Sequence, residues 1–101
     1  MASTFENIKA QSTSAGSTLR AVPPGATWII IGFMVSNISG TLETFTITAG
    51  GTILCQDIPL PAGSAVSILD GKVVLKEGES IDEICSADAG ADYFISYMEK
   101  T

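Results

Sequence analysis

Residues 42–58 read LETFTITAGGTILCQDI, and the fold class follows from how this stretch alternates. Phe45, Ile47 and Ala49 fall on one side of an extended chain, and Thr44, Thr46 and Thr48 fall on the other. A period of two is the mark of a half-buried β-strand, because successive side chains of a strand point to opposite faces. Gly50-Gly51 then offers two residues that accept positive φ, as a tight hairpin turn requires, and a second apolar run follows. A helix is a poor alternative. β-Branched residues dominate the chain, and no apolar stripe with a 3.6-residue period lasts beyond two turns.

The same punctuation extends in both directions. Strands are expected at 17–22, 27–38, 42–49, 52–58, 64–69, 72–75, 79–86 and 91–99, between Gly, Pro, Asn and Asp signals. Asp70-Gly71 predicts a type I′ hairpin between its flanking strands, and Pro24-Gly25 suits the centre of a type II turn. In 91–99, Tyr93, Ile95 and Tyr97 oppose Phe94, Ser96 and Met98, so both faces are partly covered. In 79–86, Ile81, Glu83 and Cys85 alternate with Asp82, Ile84 and Ser86, which is not a clean amphipathic pattern. Trp28-Ile29-Ile30-Ile31 is apolar on both faces and asks for a central strand or a subunit contact. About eight short, mainly antiparallel strands predict an all-β domain over 17–101, a β-sandwich of jelly-roll or immunoglobulin-like type. Residues 1–16 are rich in Ser, Thr, Ala and Gly, with Phe5 and Ile8 the large apolar groups. They read as a flexible N-terminal arm, whose Phe5 and Ile8 would anchor it on a neighbouring subunit.

A chain of 101 residues makes one domain with a thin core. Apolar residues make up 46% of it and charged residues 16%, against roughly 25% charged in ordinary domains. Ser, Thr and Gly must therefore carry the surface, which fits a protein that lives inside an assembly. The formal charge of −6, with the acids crowded between Asp70 and Glu99, leaves no basic stripe for phosphate and argues against a nucleic-acid partner. The longest apolar run, Trp28 to Val35, falls far short of the roughly 20 residues of a membrane span.

With no histidine, neither a Ser-His-Asp nor a Cys-His mechanism can operate. Cys55 and Cys85 cannot build a four-ligand zinc site alone. They read as reduced thiols of a protein made in the cytosol, with a disulfide between them as the alternative, since no secretory leader pattern opens the chain. Glu77/Glu79 and Asp82/Glu83 are carboxylate pairs of the kind that do acid–base chemistry, but they read as a solvated loop and a strand edge. Asp88-Ala-Gly-Ala-Asp92 lacks the alternating oxygen ligands of a calcium loop and reads as a turn. No phosphate-cradling glycine motif occurs, so no cofactor and no enzymatic activity is expected. Tyr93 and Tyr97 are the residues from which a sugar-binding stripe could be built; the alternative is core packing.

Leu19-Arg-Ala-Val-Pro-Pro-Gly-Ala-Thr, Phe33-Met-Val-Ser-Asn-Ile-Ser-Gly and Asp57-Ile-Pro-Leu-Pro-Ala-Gly-Ser resemble a β-sandwich layout of small virion proteins of tailed bacteriophages. Lys72-Val-Val-Leu-Lys-Glu-Gly-Glu-Ser-Ile and the closing Ala91-Asp-Tyr-Phe-Ile-Ser-Tyr-Met-Glu extend the resemblance over roughly 17–99. Its motifs are turn chemistry, and Glu79 departs from the Asp that similar turns often carry. The resemblance implies a capsid decoration (cement) protein on the virion surface. It would bind the major capsid protein and copies of itself as a trimer or dimer, and it would have no catalytic residues. A neck, tail-adaptor or fibre-associated protein and a carbohydrate- or receptor-binding module are the alternatives. Phe5, Ile8 and Trp28 are the expected partner-binding residues.

Overall fold

A computed structural model describes residues 3–69 and 71–101. Nine strands follow one another: β1 (Ser3–Gln11), β2 (Ser17–Ala21), β3 (Thr27–Asn37), β4 (Glu43–Ala49), β5 (Thr52–Leu60), β6 (Ala65–Ser67), β7 (Val73–Lys76), β8 (Ser80–Cys85) and β9 (Ala91–Lys100). They form two antiparallel sheets packed face to face as a β-sandwich. The five-stranded sheet runs β1-β9-β3-β6, with β7 also on β3, and the four-stranded sheet runs β2-β8-β4-β5. The domain is elongated, 45 × 21 × 20 Å.

The core is built by the alternation seen in the sequence. Phe45, Ile47 and Ala49 of β4 face Phe33, Val35, Tyr93 and Ile95 from the opposite sheet, and all are buried. The doubly apolar run of β3 has a specific explanation. Its pairing with β9 slips between Ile30 and Gly32, so one extra residue is accommodated there. The bulge inverts the parity of the strand: Trp28 and Ile30 face inward before it, and Phe33 and Val35 face inward after it. Ile31 is left outside.

Two segments differ from expectation. Residues 3–11 are not a free arm but the edge strand β1, paired with β9 from Ser3↔Lys100 to Gln11↔Asp92. β9 offers an open edge with ten residues of unpaired backbone, and Ile8 supplies the one buried side chain that fixes the register. The expected hairpin at Asp70-Gly71 is also absent. β6 and β7 both pair antiparallel with β3, at opposite ends of the same edge, so they run in the same direction. Asp70 itself lies outside the described residues, while Gly71 has φ +122. The Gly50-Gly51 hairpin forms as read, with φ of 58 and 80 in a two-residue turn between Ala49 and Thr52.

Candidate interaction surface

The residues that point away from the core of the five-stranded sheet form an apolar face. Strand pairing puts Phe5 beside Met98, Met98 beside Ile29, and Ile29 beside Val74, all on the outer side. A second row holds Lys9, Phe94 and Met34. Between the rows lie Asn7, Ser96 and Gly32, with the bulged Ile31 above them. Phe5 is 75% exposed, and Ile31, Met34, Val74 and Phe94 are each exposed by about half of their surface. A hollow of about 230 Å³ sits over the middle of this face, lined by Phe5, Glu6, Asn7, Ile31, Phe94 and Ser96. Toward the Asp92 end, Lys9, Gln11 and Phe94 border a larger depression of about 510 Å³.

Charge is distributed along this face in a definite direction. Lys76 and Lys100 flank Thr27 at one end, and Asp92 lies at the other, between Gln11 and Ser36. Lys9 holds its amine 5.8 Å from the centre of the Phe94 ring. The outward positions thus carry three of the chain's five cations and one of its eleven acids.

The outer side of the four-stranded sheet is more polar, its threonines interrupted by the exposed Ile53 and Ile84. Thr44, Thr46 and Thr48 of β4 line up beside Ile84 and Asp82 of β8. The Thr46 hydroxyl accepts from the Asp57 N–H at 2.9 Å, which holds Asp57 at φ 48 in the bulged edge strand β5. The Thr18 hydroxyl donates to Asp82 at 2.6 Å.

Where the two sheets meet, a carboxylate lies in the core. Glu83 is 3% exposed, not solvated as the sequence pattern implied. It accepts from the Thr13 N–H and hydroxyl, from the Ser17 hydroxyl at 2.7 Å and from the Tyr93 hydroxyl at 2.9 Å. Four donors satisfy the carboxylate without a cation. Burial pushes the Tyr93 phenol far above its ordinary range, and the bond and charge of Glu83 push it the same way. Ser12 adds a second pin: its hydroxyl donates to the Ala87 carbonyl and accepts the N–H groups of Gly90 and Ala91. Asp88 makes a third, accepting the Ser14 N–H at 2.7 Å and the Ser14 hydroxyl at 3.0 Å. Those bonds hold the Asp88 carboxyl below the usual range, the backbone donor most of all. Together they tie the β1–β2 linker to the segment that enters β9.

The expected anchors separate in space. Phe5 stands on the outer apolar face, whereas Ile8 and Trp28 are core residues, each 2% exposed. Trp28 lies against Tyr97 with ring centres 4.3 Å apart and donates its Nε1–H to Glu99 at 2.8 Å. It therefore offers no surface to a partner. Tyr93 and Tyr97 are buried too, so neither ring can stack on a sugar. Ile31, Met34, Val74 and Phe94 complete the outer face, and the sequence signal for them was the second apolar parity of β3 and β9.

Cys85 and Cys55 are free thiols on β8 and β5, which lie on either side of β4. Two strand spacings of about 4.8 Å put them beyond the ~7 Å Cα separation that a disulfide tolerates. Burial raises the Cys55 thiol. Among the described residues no cluster of three potential metal ligands occurs, and no helix is long and apolar enough to cross a membrane.

No protein-family profile and no curated protein matches this sequence. The fold does have a solved counterpart. A chain from Bacillus endospore appendages, described as a novel family of disulfide-linked pili, superposes with a TM-score of 0.59. The two are 16% identical, and the match covers 99% of this chain and 87% of that one. The likeness is one of fold.

Proposed function

We propose that this chain is a structural subunit of a multi-copy protein assembly, and specifically a decoration protein on the shell of a tailed bacteriophage. The observation that carries the reading is the outer face of the five-stranded sheet, where Phe5, Ile31, Met34, Val74 and Phe94 stand exposed together. Their exposed area, with Phe5 presenting roughly 150 Å² and each of the other four roughly 80–100 Å², comes to about 500 Å² and falls where monomer patches are commonly functional. The virion assignment rests on the turn motifs over roughly 17–99, and the face supplies the means of adhesion. The chemistry fits a subunit that adheres and does not turn over a substrate. Its buried carboxylate is saturated by four donors, and its tyrosines are packed inside.

The test is the location and copy number of the protein in purified particles. A decoration protein is present in tens to hundreds of copies and co-sediments with shells. A Phe5→Glu/Phe94→Glu variant loses that binding while staying folded. A copy number of one ring or fewer per particle, or indifference to shells, overturns the reading.

A second reading, a filament subunit, is favoured by the superposition on a pilus protein over nearly the whole chain. The disulfide linkage described for that protein does not carry over readily, because Cys85 is buried and Cys55 half-buried. Electron microscopy of the concentrated pure chain separates the two: fibres without shells support the filament.

A further inference from the structure

We infer that the outer face of the five-stranded sheet is covered by a second copy of this chain, lying antiparallel across it about a two-fold axis near Ser96. The inference rests on the proposal that this face is an adhesive surface and names what adheres to it.

The argument begins with charge. The chain carries −6, and two copies repel one another through most of their surfaces. This face is the exception: its outward strand positions carry three lysines against Asp92, with Glu6 the one further acid, at the edge of the hollow. Its charges also lie at its ends. Asp92 and Lys100 both point outward from β9, four residues on either side of Ser96. A two-fold axis through Ser96, in the plane of the face and across the strands, lays β9 on β9 in opposite directions. Asp92 of each copy then meets Lys100 of the other, twice per dimer. A two-fold axis running along β9 would instead set Lys100 against Lys100 and Asp92 against Asp92. Like charges in register suppress that alternative.

The apolar positions obey the same symmetry. Phe94 lies two residues from Ser96 on one side and Met98 two residues on the other, so each opposes the other across the axis. On β1, Lys9 and Phe5 are placed alike about Asn7, which brings an ammonium over a phenyl ring. The centre of the face is small and recessed, with Ser96 opposite Gly32 under the 230 Å³ hollow. Ile31, beside Gly32 on the axis, meets Ile31 of the other copy and adds an apolar contact at the centre of the interface. Antiparallel sheets pack face to face with strand directions within about 30°, a geometry this arrangement meets. About 500 Å² of apolar surface from each copy, with the polar rim, gives roughly 1,000–1,200 Å² in total, which reaches the size of a specific interface.

Sedimentation of the pure chain, unmodified and as charge variants, tests this. A dimer is expected, and Phe94→Glu raises its dissociation constant at least about tenfold with an unchanged circular dichroism spectrum. Asp92→Lys alone and Lys100→Glu alone each weaken it roughly five- to tenfold, since each substitution is felt at two symmetric contacts. The double variant Asp92→Lys/Lys100→Glu restores the dimer, because opposite charges face each other again. A chain that stays monomeric at 100-fold excess over its working concentration (on the order of micromolar for a standard interface) overturns the inference. So does a dimer indifferent to Phe94→Glu, or a double variant as weak as the singles. Shell co-sedimentation is scored separately: a monomer that binds shells through Phe94 sinks the second copy and keeps the adhesive face. A dimer that ignores shells keeps the second copy and sinks the shell assignment.

Discussion

The five-stranded sheet turns five large apolar side chains to the outside, Phe5, Ile31, Met34, Val74 and Phe94, while the four-stranded sheet turns out Thr44, Thr46, Thr48 and Asp82 with only Ile53 and Ile84 among them. Their inner faces invert the contrast. The first packs Tyr93, Ile95 and Tyr97 inward, and the second places Glu83 between Ile81 and Cys85 in the core. Polarity therefore does not mark inside from outside in this domain; it marks the task of each sheet. The sheet with a carboxylate in its interior is the one fastened to the β1–β2 linker. The sheet with apolar residues on its exterior is the one left for a neighbour.

The largest effect should come from removing the inner exception. Glu83→Ala strips the acceptor from the Thr13 N–H and the hydroxyls of Thr13, Ser17 and Tyr93 at once. Buried donors left without partners cost about 1–3 kcal/mol each before relaxation, so a loss of about 3–5 kcal/mol is expected in urea unfolding. A loss below about 1 kcal/mol would mean that the carboxylate is incidental to the fold. Ile8→Ala comes next. It removes the buried contact that seats β1, and about 2–4 kcal/mol should be lost. Hydrogen exchange should show that loss concentrated on β1 and the facing edge of β9.

Outer-face substitutions complete the contrast, with little effect on stability and unequal effects on association. Phe94→Glu and Thr44→Glu both sit on outward strand positions and should change unfolding free energy by about 0.5 kcal/mol or less. The first should abolish self-association in sedimentation, and the second should leave it untouched. Equal responses would erase the distinction between the two faces.

The sandwich was legible because its strands alternate with period two and end at glycine and proline turns. Eight of the nine strands fall within two residues of their expected bounds. β1 was not legible, since Ser3–Gln11 is polar and draws its order from the open edge of β9, a contact distant in sequence. The pairing of β6 and β7 was hidden for a related reason: Asp70-Gly71 carries local hairpin chemistry, but β3 offers one long edge that both strands occupy. Of the expected anchors, Phe5 reached the surface. Trp28 went to the core because the bulge at Ile31 lets both halves of β3 face inward, and no local pattern announces a bulge. Glu83 was misread from its charge alone. Three of its four donors lie about 70 residues away, on Thr13 of the linker and Ser17 of β2, where no pairwise spacing points to them.

The smallest effect concerns the exposed counterpart of the Glu83 pin, and it has a definite sign. Asp88 and Glu83 hold the same linker, through Ser14 and through Thr13 and Ser17. Asp88 faces solvent, and its folded carboxyl titrates below 3.8 because the Ser14 N–H and hydroxyl favour the charged form. A depressed folded value means stability that is present in full above the unfolded value near 3.9 and is lost as pH falls through the folded one. The linker should therefore loosen below about pH 4, seen as faster exchange of the Ser14 and neighbouring amides. Asp88→Asn should remove that acid-dependent part while leaving exchange at neutral pH already raised. Identical pH profiles in the two proteins would assign the acid sensitivity to other carboxylates. The linker would then be held from its buried side alone, by Glu83 and Ser12.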